Sequence, residues 1–73
     1  MNYKMIVGDN IRGFRHKMEW TQEKLAVRTK LSNDYISRME LGKEGISIAN
    51  LVKIAQALKV EPHLLLIKDS YKE

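Results

Sequence analysis

Apolar residues recur along this chain with the period of about 3.6 that helices need, and no segment alternates with the period of two of a strand. Val7, Ile11, Phe14 and Met18 follow i, i+4, i+7, i+11, which predicts a first helix over about Met5–Met18. Gly8 and Gly13 weaken that helix by up to about 1 kcal/mol each against Ala, so packing must hold it. A second helix is expected over Gln22–Thr29 with Thr21 as N-cap. Glu23 near its start and Arg28 near its end complement the helix dipole. Leu25 points to the core, and Ala26 lets a neighbouring helix come close. Trp20, just before the cap, is expected to pack between the first two helices. A third helix is expected from Asn33 to about Leu41, capped by Ser32, ended by Gly42 at C′, with Ile36 and Met39 inward. Ser47 caps a fourth helix over about Ile48–Lys59 that buries Leu51, Ile54, Ala55 and Leu58. Pro62 suits the first turn of a short fifth helix reaching about Ile67. The expectation is an all-α single domain of five helices over residues 1–73, with a core over about 5–67 and a polar C-terminal tail, 68–73, that frays.

Composition narrows the class. Seventy-three residues lie near the lower limit for folding without staples, and 44% hydrophobic residues can supply the packed core. With no cysteine there is neither a disulfide framework nor a thiolate metal site. His16 and His63 show no ligand spacing with each other or with clustered carboxylates, so no metal or cofactor is expected. No apolar run approaches the roughly 20 residues that span a bilayer, and the N-terminus lacks a signal-peptide pattern. The expectation is a soluble cytoplasmic protein with no membrane partner. The net charge of +4 is unevenly placed. Residues 1–43 hold nine Lys/Arg and five acids, whereas residues 44–73 hold four of each. A basic first half attracts polyphosphate and steers association, without carrying sequence information.

The second and third helices, Gln22–Thr29 and Asn33–Leu41, are separated by a tight turn, and the third carries small polar and basic side chains on one face. That is the layout of a helix-turn-helix, whose second helix enters the major groove of duplex DNA.

The same residues resemble the Cro/CI (XRE-type) helix-turn-helix family of bacterial and phage transcriptional regulators, over about residues 6–67. Ile11-Arg12-x-Phe14-Arg15 resembles that family's first helix. Trp20-Thr21-Gln22-Glu23-x-Leu25-Ala26 and Tyr35-Ile36-Ser37-Arg38-x-Glu40-x-Gly42 resemble its second and third, and Leu51-x-x-Ile54-Ala55-x-Ala57-Leu58-x-Val60 its closing helix. The resemblance implies a compact five-helix domain of the lambda-repressor-like DNA-binding type, with the helix-turn-helix at helices two and three. Two positions depart from the pattern. Lys30 stands where the turn usually has Gly, so either a left-handed Lys costs of order 1 kcal/mol or the turn has another shape. Ile46 stands where many members have Pro. That variant, with the short length, resembles the controller proteins of restriction–modification systems.

On this reading Ser32, Asn33, Asp34, Ser37 and Arg38 lie on or near the exposed face of the third helix and are the base-reading candidates. Arg38 can bond O6 and N7 of guanine, Asn33 can read adenine, and Asp34 can accept from the N4 amine of cytosine. Asp34 could instead act chiefly to exclude wrong sequences. A surface charge or a phosphate contact is the plain alternative for Arg38. Gln22, with the free N–H groups of its helix start, can bond a phosphate oxygen. Tyr35, Lys43 and Arg12 are further phosphate candidates, against partial burial on the first helix for Tyr35 and screened surface charge for the other two. The resemblance implies that Arg15 pairs with Glu40 to orient two helices. Leu64, Leu65, Leu66 and Ile67 cannot all turn inward on one short helix. Leu64, Leu65 and Ile67 are therefore candidates for a homodimer interface, with a single exposed Leu as the alternative.

The function expected is sequence-specific binding of double-stranded DNA by a homodimer on an inverted-repeat operator, with autoregulation and no small-molecule ligand. An antitoxin that also binds a toxin protein is the alternative, although residues 68–73 are short for a toxin-binding tail. An enzyme finds no support: there is no nucleophile–base arrangement, Gly-rich phosphate loop or metal cluster.

Overall fold

The computed structural model describes residues 1–73 and contains four α-helices and no strand: α1 (Tyr3–Lys17), α2 (Gln22–Thr29), α3 (Asn33–Glu40) and α4 (Ile48–Leu58). A 3₁₀ segment, Pro62–Leu66, replaces the expected fifth α-helix, and a second one follows at Ser70–Lys72. No helix is long and apolar enough to cross a membrane. Local chemistry sets the starts. Thr21, Ser32 and Ser47 each accept a hydrogen bond from the backbone N–H three residues on, at Lys24, Tyr35 and Asn50. Asn2 does the same for Met5, which moves the start of α1 two residues ahead of the expected Met5.

Three of the four helices stop in Schellman turns. At the end of α3 the N–H of Gly42 donates to the Met39 carbonyl and that of Lys43 to the Arg38 carbonyl, with Gly42 left-handed at φ +74°. The same pair of bonds ends α1 and α4, with Glu19 (φ 60°) and Lys59 (φ 61°) in place of glycine. Lys30 also takes the left-handed conformation, at φ 62° and ψ 23°, so of the two alternatives for this position the strained turn is the one adopted. Lys30→Gly should accordingly stabilise the fold by up to about 1 kcal/mol. A rise in the urea midpoint would show it; an unchanged or lowered midpoint would refute the strain.

Val7, Ile11, Phe14, Leu25, Ala26, Ile36, Met39, Leu51, Ile54, Ala55, Leu58 and Leu65 form the core. The two helical glycines are contact points. A Cβ on Gly8 would collide with the Met39 carbonyl oxygen, so Gly8 is where α1 crosses the end of α3. A Cβ on Gly13 would collide with the ring of Tyr71. Tyr71 packs edge-on to Phe14, with ring centroids 6.5 Å apart, and the Ser70 hydroxyl donates to the Leu64 carbonyl. The tail expected to fray is thus held by an aromatic contact and a buried hydroxyl. Asn10, fully buried on α1, ties down the preceding segment: its Nδ2 donates to the carbonyls of Leu64 (3.3 Å), Leu65 (2.9 Å) and Ile67 (2.8 Å).

Candidate nucleic-acid interface

One exposed surface runs from the start of α2 across α3 to the loop beyond it. Ser32, Asn33 and Asp34 are exposed at the start of α3, Arg38 is exposed one turn on, and Ser37 beside it is half-buried. The Ser32 hydroxyl is occupied in capping, accepting from Tyr35 N–H at 3.0 Å. At the start of α2 the N–H groups of Gln22 and Glu23 have no intrahelical acceptor, and the helix dipole adds partial positive charge there. Lys43 is exposed and follows Gly42, whose left-handed turn carries the chain away from α3.

Arg38 is not a free cation. Its Nε donates to Glu44 Oε1 at 2.9 Å and its Nη1 donates to Asp34 Oδ2. The Glu44 hydrogen bond first, and then the negative charge of Asp34, raise the guanidinium above its ordinary pKa, so it stays cationic wherever the domain is folded. The Tyr35 hydroxyl accepts from Asn50 Nδ2 at 3.2 Å and lies 3.5 Å from the Gly45 carbonyl, to which it donates. The hydrogen-bonding end of Tyr35 therefore meets α4 and the loop, rather than the first helix of the plain alternative. Arg12 pairs with Asp9 on its own helix at 3.1 Å, both half-exposed.

Beneath this surface lies a buried ion pair. Arg15 Nε and Nη2 donate to Glu40 Oε2 and Oε1 at 2.7 and 2.9 Å, with side chains 8% and 2% exposed. Arg15 Nη1 also donates to the Trp20 carbonyl at 2.7 Å, and Gln22 Nε2 donates to Glu40 Oε1 at 3.0 Å. The group joins the end of α1, the start of α2 and the end of α3, the three places that fix how α3 sits. One N–H of the Gln22 side-chain amide is therefore engaged inside the protein, which leaves its second N–H and the backbone N–H for an anion. Trp20 is half-buried on the same side, with Lys24 and Arg28 over its ring at 5.9 and 5.2 Å.

The 3₁₀ segment requires a correction. Leu65, expected in a dimer interface, is 0% exposed and belongs to the core, because Asn10 pulls its carbonyl against α1. Leu64 is half-buried, whereas Leu66 and Ile67 are exposed. Pro62 and Leu66 of this segment line an apolar hollow of about 500 Å³ together with Tyr3, Val52 and Ile48, the last 81% exposed. Sequence reasoning missed Asn10, Thr29, Glu44 and Tyr71. Asn10 lies three residues after Val7 and one before Ile11, within the apolar stripe, and a polar residue there was the available signal. Thr29 is buried and donates to the Leu25 carbonyl at 2.8 Å, a bond available to any Thr four residues along a helix.

Residues 11–65 match the helix-turn-helix family model. A control protein of Bacillus amyloliquefaciens, C.BamHI, is 39% identical over 66 residues, covering 89% of this chain and 82% of that protein. The structure of the restriction-modification controller protein C.AhdI from Aeromonas hydrophila superposes with a TM-score of 0.82 at 32% identity, covering 85% of this chain and 94% of that one. SinR, a master regulator for biofilm formation solved in complex with DNA, gives a TM-score of 0.80 at 27% identity, covering 84% of this chain and 98% of that one.

Proposed function

The chain belongs to the XRE-type helix-turn-helix family of DNA-binding transcriptional regulators, and on that premise we propose that it reads an inverted-repeat operator as a homodimer, with α2–α3 as the helix-turn-helix and α3 in the major groove. The carrying observation is the exposed face of α3, where Asn33, Asp34 and Arg38 stand clear of the core between the start of α2 and Lys43. Arg38 is the guanine contact, Asn33 an adenine contact, and Asp34 a cytosine contact or an excluder of wrong bases. Ser32 and Ser37 touch the groove wall at closer range. Lys43 and the N–H groups at the start of α2 grip phosphates on either side. Tyr35 and Arg12 are secondary phosphate contacts, the first through a hydroxyl already engaged and the second only on leaving Asp9.

A single recognition helix buries too little surface for useful specificity, so a second copy is required. The apolar hollow bounded by Ile48, Val52, Pro62 and Leu66 is the face that a two-fold partner would cover. Leu65 takes no part. Activity is then set by concentration through dimerisation, which suits a regulator that controls its own gene from the cytoplasm. The likeness to two control proteins supports a controller-like role.

Selection of bound DNA from a random duplex pool tests this, at about 150 mM salt so that backbone-only binding is suppressed. The expected product is an inverted repeat with half-sites about 34 Å apart. Recovery of a single half-site would overturn the two-fold dimer, and recovery of no motif would overturn sequence-specific binding.

A further inference from the structure

Resting on the assignment of Arg38 as the guanine contact, we propose that Glu44 is a specificity-determining residue that acts through Arg38 by withholding it from DNA phosphates. Non-specific binding is driven almost wholly by cations meeting phosphate oxygens. An unrestrained arginine in the middle of a recognition face would serve any sequence. Here Nε is given to Glu44 and Nη1 to Asp34, while Nη2 makes no bond within the protein. The guanidinium is held from two sides with one nitrogen presented outward.

The two carboxylates differ in how they are held. Asp34 lies one turn back on the same helix, and its side chain is 75% exposed. Glu44 comes from the loop, and its side chain is 39% exposed. That loop is fixed at both ends. The Schellman turn at Gly42 starts it, and Tyr35, bonded to both Gly45 and Asn50, ties it to α3 and α4. Glu44 is therefore placed by the backbone of a loop held at both ends, whereas Asp34 is placed by helical spacing alone. As an exposed ion pair it adds little to stability. Its effect falls on binding: a phosphate can replace both bonds of Arg38 but must also meet the negative charge of Glu44, whereas bidentate guanine replaces both bonds and carries no net charge.

The test uses the operator recovered from the random duplex pool and a scrambled duplex of equal length, with Kd measured for both at one salt concentration. Glu44→Gln should tighten binding to the scrambled duplex by roughly fivefold or more and tighten the operator less, so the specificity ratio falls several-fold. In an Arg38→Ala background, Glu44→Gln should leave the ratio unchanged within about twofold. An unchanged ratio in the Arg38 protein, or an equal fall in both backgrounds, would overturn the proposal, the second because plain charge removal would then account for it. If Arg38→Ala itself leaves the ratio intact, the base-reading assignment of Arg38 fails instead, and that result is recognisable separately.

Discussion

Glu40→Ala should cost about 3–5 kcal/mol of folding stability, the penalty for removing one member of a buried ion pair and leaving the other charge unpaired. Arg15 would lose its bonds of 2.7 and 2.9 Å from Nε and Nη2 to the carboxylate, keeping the Trp20 carbonyl and a 3.3 Å contact with His16 Nε2 but no counter-charge. Gln22 would lose its acceptor as well. Small domains unfold at about 5–15 kcal/mol, so the loss takes a large share of what there is. Urea denaturation measures it directly, with the midpoint falling and the slope unchanged if only the native state is affected. A loss below about 1 kcal/mol would mean that the pair behaves as a solvated surface bridge. The double replacement Arg15→Met/Glu40→Leu should recover much of the stability, since a buried pair can be exchanged for apolar volume at little cost. It should not recover DNA binding to the same extent. The ion pair joins three helix ends by directed bonds, and two apolar side chains hold no fixed angle between α2 and α3.

What is legible in the sequence is what short-range chemistry decides. Thr21, Ser32 and Ser47 each bond a residue three positions on, so the starts of α2, α3 and α4 follow from local pattern. The inward residues of α3 and α4 follow from helical period alone. The rest depends on contacts distant in sequence. Four apolar residues in a row from Leu64 give no sign of which one turns inward, and Asn10, more than 50 residues away, decides it. Gly8 and Gly13 read as weak points in a helix, because the backbone of α3 and the ring of Tyr71 that need the room lie far along the chain. Tyr71 sits in a polar tail that composition alone describes as frayed. The candidate site divides in the same way. The i, i+4 spacing carries a signal for Asp34 beside Arg38, whereas Glu44 reaches Arg38 only because Gly42 reverses the chain. The pairing of Arg15 with Glu40 has no spacing rule behind it and rests on resemblance.

Arg38→Ala is expected to leave the fold intact and to weaken operator binding by roughly tenfold to a hundredfold for each half-site, the range that one bidentate guanine contact is worth, with both half-sites affected in the dimer. The fold should survive because Arg38 is exposed and its partners Asp34 and Glu44 are surface carboxylates, free to be solvated once it is gone. Binding to scrambled DNA should also weaken, since two carboxylates would then face the phosphates without their counter-charge. That loss should be the smaller of the two, because in the native protein most of the guanidinium's bonding is already committed to Glu44 and Asp34. Tolerance should therefore widen at one base pair in each half-site, the same one in both halves of the repeat. Repeating the selection with the variant makes this visible as a single degenerate position per half-site. An unaltered motif would remove Arg38 from base recognition, and uniform weakening on every sequence would make it a phosphate contact. Arg38→Lys separates charge from shape: a point charge restores non-specific binding yet lacks the planar fork, so the degenerate position should persist.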